Sequence, residues 1–131
     1  MKSASGTYIL IIQTHVNLTL SIGALGEIKF LRGYYAYIGS AMNQQLFNRV
    51  KRHLKPKNKK KLHWHIDYLL FHSSASIFKI YLIPSNRKEE CEIAREISNH
   101  AVRFVPYFGS SDCNCKSHLY YLSNNCTLIQ S

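Results

Sequence analysis

The run Gly33-Tyr34-Tyr35-Ala36-Tyr37-Ile38-Gly39-Ser40-Ala41 constrains the fold more than any other part of the chain. Aromatic and apolar residues at this density suit an extended, half-buried strand. Gly39 then makes a turn, and small residues lead into a helix over residues 43–54. Strand alternation places Tyr35 and Tyr37 on one face and Tyr34 and Ala36 on the other. On the helix, Leu46, Val50 and Leu54 recur at four-residue spacing and predict a core-facing stripe. Arg49 and His53, also four apart, flank that stripe one turn above each other. A guanidinium and an imidazole are therefore expected to emerge together beside the end of the strand that carries Tyr35 and Tyr37. Such a group can bind and process a phosphodiester, because the guanidinium neutralises phosphate charge while phenol and imidazole move protons. On spacing alone, a solvated helix face and core tyrosines are the commoner outcome.

Charge is what points to a partner. The 131 residues carry 17 Lys and Arg against 7 Asp and Glu, a net charge of +10. Much of the excess falls beside the Arg49/His53 helix, in Lys51, Arg52, Lys55, Lys57, Lys59, Lys60 and Lys61. These residues predict a nucleic-acid surface, since clustered cations neutralise phosphates and release counterions; a loop that only serves solubility is the rival reading. A membrane partner is not expected. No apolar run approaches the roughly 18 residues of a spanning helix, and no basic amphipathic helix has a broad apolar face. The N-terminus lacks a signal-peptide pattern, so a cytoplasmic chain is expected. In that compartment Cys91, Cys113, Cys115 and Cys126 are expected as thiols.

The length predicts one domain over residues 1–131. Residues 6–13 form a nearly continuous apolar and β-branched run, hence a buried central strand. Strands around 18–22 and 27–30 are joined through Gly23-Ala24-Leu25-Gly26, a hairpin. After the loop Lys55-Pro56-Lys57-Asn58, residues 61–71 are helical by pattern, with Leu62, Ile66 and Leu69 on one face. His63 and His65, two apart, point too far apart around that helix to chelate a metal. Residues 76–83 predict a strand, and 88–100 a helix with Ile93 and Ile97 inward and Glu89, Glu90, Glu92 and Glu96 along it. The tail is a polar loop running into a last strand near 119–122. Cys113, Cys115 and His118 offer three zinc ligands, with Cys91 or His63 as a fourth. Cys-x-Cys is not the usual zinc pair, so a loop with thiols is the preferred reading.

Taken together, these segments resemble the GIY-YIG nuclease superfamily, and more closely its small single-domain branch catalogued as a domain of unknown function (DUF123). Gly6-Thr7-Tyr8 stands at the first motif, Tyr37-Ile38-Gly39 matches the second, and Arg49-x-x-x-His53 lies on the helix after it. The branch is carried by Gly23-Ala24-Leu25-Gly26, His63-Trp64-His65-Ile66-Asp67-Tyr68-Leu69, Glu90-Cys91 and Phe108-Gly109-Ser110-Ser111-Asp112-Cys113. The resemblance implies an α+β fold: a small, mostly antiparallel sheet flanked by about three helices, with an extra hairpin between the two motifs. It also implies a metal-dependent endonuclease acting on DNA. In that scheme Tyr8, helped by Tyr37, orients or deprotonates the attacking water, Arg49 stabilises charge on the phosphate, and His53 assists proton transfer. Glu90 would hold one Mg²⁺ or Mn²⁺, with Glu89 and Glu92 as alternatives. A phenol base needs a lowered pKa, and Arg49 is expected to supply the positive charge. Thr7 departs from the isoleucine of the first motif, and the Tyr8-to-Tyr37 interval is longer than is typical. The rival function is a non-catalytic nucleic-acid-binding module on the same fold.

Overall fold

The apolar run near the N-terminus becomes β1 (Gly6–Thr14), a strand paired on both sides, with β4 (Gly33–Ala41) and β5 (Ala75–Pro84). Cover on both of its faces is why it reads as continuous rather than alternating. This arrangement is taken from a computed structural model, which describes residues 4–59, 61–110 and 115–124. Strands β6 (Arg103–Phe104) and β7 (Leu119–Ser123) extend the sheet beyond β4, giving the order β5-β1-β4-β7-β6 with antiparallel pairing throughout. The hairpin of β2 (Leu18–Ser21) and β3 (Glu27–Phe30) stands apart as a two-stranded sheet. Its turn needs glycine, since Gly23 and Gly26 have φ of 46° and 76°.

Helices α1 (Leu46–His53) and α2 (His65–Phe71) and the hairpin pack on one face of this α+β fold. There Leu46, Val50, Ile66, Leu69 and Phe30 bury Tyr8, Leu10, Ile12, Tyr35 and Tyr37. The other face, with Ile38 and Tyr120, is covered by Ala94 of α3 (Glu90–Ser98), with Ile93 and Ile97 alongside. Strand alternation thus divides the tyrosines as expected, and Tyr34 and Ala36 lie in a separate cluster with Ile11. Among the described residues, no helix is long and apolar enough to cross a membrane.

Four expectations need correction. Gly39 makes no turn: it is paired within β4, opposite Tyr8. The first helix starts at Leu46, because Asn43 and Gln44 are left-handed, with φ of 57° and 62°. That turn is tied to the N-terminus: Gln44 N–H donates to Ser5 Oγ (2.8 Å) and Leu46 N–H to Ala4 O (2.9 Å). Leu54 is not on the buried stripe; it is 53% exposed, and the buried set is Leu46, Val50 and His53. At 100° per residue, position i+7 returns to within about 20° of i, whereas i+8 overshoots by about 80°. Leu62 likewise lies outside its helix and is exposed. The helix begins only at His65, where Asp67 Oδ2 accepts the Trp64 and His63 N–H groups (2.8 and 3.0 Å).

Candidate active site

The β1–β4 register sets Tyr8 opposite Gly39 and Leu10 opposite Tyr37. Tyr8 and Tyr37 are therefore diagonal neighbours on one face, with ring centroids 6.5 Å apart. The Tyr8 ring occupies the space where a side chain at position 39 would sit. A Cβ there would lie 2.6 Å from Tyr8 Cε2 and closer still to Cζ and Oη. Tyr8 Oη bonds His53 Nε2 at 2.7 Å. His53 does not emerge beside the strand as its spacing suggested. It is buried on the α1 stripe, behind Tyr8.

In front of Tyr8 opens a cavity of about 350 Å³ lined by Tyr8, Tyr37, Gly39, Ser40, Arg49 and Glu90, with Met42, His63, Trp64, His65, Lys88 and Gly109 completing its walls. Arg49, Tyr8, Tyr37 and Glu90 thus meet around one space, while Tyr35 is held in the core with its hydroxyl donating to Leu31 O (2.7 Å). Arg49 is fixed twice. Its Nη1 donates to Ser40 O at 3.1 Å, and its Cζ lies 4.6 Å from the centre of the Trp64 ring. Arg52 stacks on the same ring at 3.9 Å and pairs with the buried Asp67 carboxylate at 3.5 Å. His65 closes the far wall by accepting the Gly109 N–H at its Nδ1 (2.8 Å).

Burial dominates the electrostatics of the two phenols. It pushes the Tyr8 hydroxyl well above the usual tyrosine range, and the Arg49 charge and hydrogen bond only partly offset it. Tyr37 is raised by burial too, and further by Tyr8. The expectation that Arg49 would lower the pKa of a phenol base is therefore reversed: desolvation outweighs the guanidinium. At neutral pH Tyr8 is a neutral phenol. Its oxygen shares a hydrogen bond with His53 Nε2, in which either group donates according to the imidazole tautomer.

Of the later glutamates, Glu90 alone is buried, and it lines the cavity. Its Oε1 lies 3.4 Å from Lys88 Nζ and its Oε2 lies 3.8 Å from His118 Nδ1. Glu92 turns outward to Arg87 (3.5 Å), and Glu89 is the residue before the helix. A hard carboxylate oxygen lining that cavity fits Mg²⁺ or Mn²⁺, which keep several waters and take one or two carboxylates. Lys88 is the competitor for that oxygen.

The basic cluster divides. Arg52, Lys55, Lys59 and Lys61 line a second concavity of about 220 Å³ together with Asp67, and Lys51 is exposed on α1. Lys57 departs from expectation. Its Nζ donates to Leu70 O (2.6 Å) and Ala75 O (2.7 Å), so it ties the end of α2 to β5 instead of facing a polyanion. Burial lowers its pKa. Lys60 lies outside the described residues.

Sequence reasoning missed Trp64 as the platform under both guanidinia, and Lys88 and His65 as cavity walls. The signal available was one tryptophan between two histidines, just after a helix with arginines three apart. Of the two residues offered as a fourth ligand beside Cys115 and His118, Cys91 is the one that joins them, with ligand atoms all within 4.8 Å of one another; Cys113 lies outside the described residues. Searches of curated proteins and of solved structures returned no match. The family model for the domain of unknown function DUF123 matches residues 7–131, and the chain belongs to that family.

Proposed function

We propose that this chain is a cytoplasmic, metal-dependent endonuclease of the GIY-YIG type that hydrolyses phosphodiester bonds in DNA. The observation that carries the reading is one cavity lined by Tyr8, Tyr37, Arg49 and Glu90, with His53 hydrogen-bonded behind Tyr8. The net charge of +10 and the basic concavity beside α1 supply the attraction for a polyanion.

The raised phenol pKa selects a relay over a standing phenolate. Tyr8 takes a proton from the attacking water while its own proton passes to His53 Nε2. The water oxygen bonds phosphorus and the bond to the leaving oxygen breaks. Arg49, held by Ser40 O and Trp64, directs its remaining N–H groups at the phosphate oxygens that gather charge. Tyr37 packs beside Tyr8 and limits its movement. Glu90 would hold Mg²⁺ or Mn²⁺, which when bound neutralises phosphate charge and stabilises the leaving oxygen.

The test is cleavage of plasmid and synthetic branched and single-stranded DNA with Mg²⁺, Mn²⁺ or EDTA. Wild type is compared with Arg49→Ala and Glu90→Ala. Cleavage is expected only with metal, with Arg49→Ala lowering turnover by about 10²–10³-fold. Metal-dependent cleavage unchanged in both variants would overturn the site assignment. Salt-sensitive binding with no turnover under any metal would instead make the chain a non-catalytic nucleic-acid-binding module.

A further inference from the structure

On the far side of Glu90 lies a second group of ligands that the nuclease reading does not use. Cys91 is in the first turn of α3, Cys115 lies in the loop before β7, and His118 immediately precedes β7. One ligand atom from each can be chosen so that all three lie within 4.8 Å of one another. Cys91 Sγ and His118 Nε2 are 3.9 Å apart. A tetrahedral zinc with its usual bond lengths to sulfur and nitrogen would separate such a pair by about 3.6 Å. His118 is fully buried, and its other nitrogen, Nδ1, faces Glu90 Oε2 at 3.8 Å.

We propose that Cys91, Cys115 and His118 Nε2 form a Zn²⁺ site in which Glu90 orients the histidine ligand from behind. Two thiolates and an imidazole are the soft and borderline donors that select zinc over magnesium. A ligating histidine ordinarily gives its second N–H to a carboxylate, which fixes its tautomer and ring orientation. Glu90 Oε2 faces that nitrogen at 3.8 Å, longer than a hydrogen bond, and would close on it when zinc binds. Cys91 and Cys115 also border a cavity of about 720 Å³, which leaves room for a water or a further ligand to complete the metal's coordination. The site would cross-link the start of α3 to the approach to β7 and so fix the direction in which Glu90 presents Oε1 to the catalytic cavity. The proposal does not depend on the nuclease reading, because zinc binding is measured without DNA.

The experiment uses the full chain, purified under reducing conditions without a metal-affinity tag, analysed for bound metal and then titrated with Zn²⁺ and with Co²⁺ against a chromophoric chelator. Expected are one Zn²⁺ per chain and, with Co²⁺, a thiolate charge-transfer band together with the visible bands of a tetrahedral site. Cys91→Ser and Cys115→Ser should each weaken that band and lower affinity at least tenfold, with circular dichroism confirming that the variants fold. Glu90→Gln, which keeps both thiolates, should weaken Zn²⁺ binding by about 10–100-fold. Wild-type protein that takes up no Zn²⁺ or Co²⁺ with its thiols reduced would overturn the proposal. So would binding that the two serine variants leave unchanged. Cys91 or Cys115 found oxidised in protein purified under reducing conditions, and alkylated only after stronger reduction, would also overturn it.

Discussion

Replacing Gly39 by alanine tests the geometry of the site without removing any of its polar groups. The added Cβ would lie 2.6 Å from Tyr8 Cε2 and nearer still to Cζ and Oη, well inside van der Waals contact. The ring, only 1% exposed, must withdraw by more than about 1 Å to restore an ordinary separation. The Tyr8 Oη to His53 Nε2 bond starts at 2.7 Å, so a retreat of that size carries it past the limit of a useful hydrogen bond. Overpacking costs about 1–3 kcal/mol and the lost bond about 0.5–1.5 kcal/mol, so Gly39→Ala should destabilise the fold by about 2–4 kcal/mol. Urea unfolding measures this directly. The decisive comparison is a cycle with Tyr8→Leu, which removes the ring that the methyl group strikes. In that background Gly39→Ala should cost less than about 1 kcal/mol, a coupling of at least about 1 kcal/mol. Equal costs in the two backgrounds would refute the reasoning, because the penalty would then come from β4 itself and not from Tyr8.

Three further perturbations separate the parts of the site. Tyr8, Tyr35 and Tyr37 are all raised by burial, so their native pKa values exceed the unfolded value of about 10. The native state then holds more protons than the unfolded chain: stability is full below about pH 10 and falls above it, by about 1.4 kcal/mol per pH unit for each such phenol. Urea midpoints that stay level between pH 10 and 11 would contradict this. Lys57→Ala should cost about 1–3 kcal/mol of stability through its two carbonyl contacts while leaving DNA affinity near wild type. Lys55→Ala, Lys59→Ala and Lys61→Ala should do the reverse, each lowering the salt slope of binding by about 1 without moving the melting temperature. The chain's one tryptophan, Trp64, carries both guanidinia, so its fluorescence should change as an oligonucleotide is titrated in. An unchanged spectrum alongside binding detected by anisotropy would place the nucleic acid elsewhere.

What the sequence made legible follows from how local each determinant is. The β1 run, the glycine-closed hairpin and the Tyr34–Tyr37 alternation are set by neighbours within a few residues, and each was read correctly from the chain. The start of α1 was not, because left-handed Asn43 and Gln44 are stabilised by Ser5 and Ala4, about 40 residues away in sequence. The Tyr8 pKa was misjudged for a related reason. A nearby arginine is visible in a sequence, but the depth of burial that outweighs it depends on how α1 and α2 close over the sheet. Likewise, Cys91 meets Cys115 and His118 only because α3 and the approach to β7 come together in the fold. The position of His53 is different, because it was readable and was misread. Counting i, i+4, i+7 instead of i, i+4, i+8 puts the imidazole on the buried arc, about 20° from Leu46, and turns Leu54 outward. A polar ring in that position cannot stay unsatisfied in an apolar core, so it demands a partner across the interface. The face that α1 covers offers Tyr8 from β1 and Tyr35 and Tyr37 from β4, and in the fold it is Tyr8 that His53 meets. Helical geometry and the cost of burying an unpaired imidazole therefore predict from the sequence that His53 takes a polar partner on the sheet face beneath α1, with no appeal to a motif.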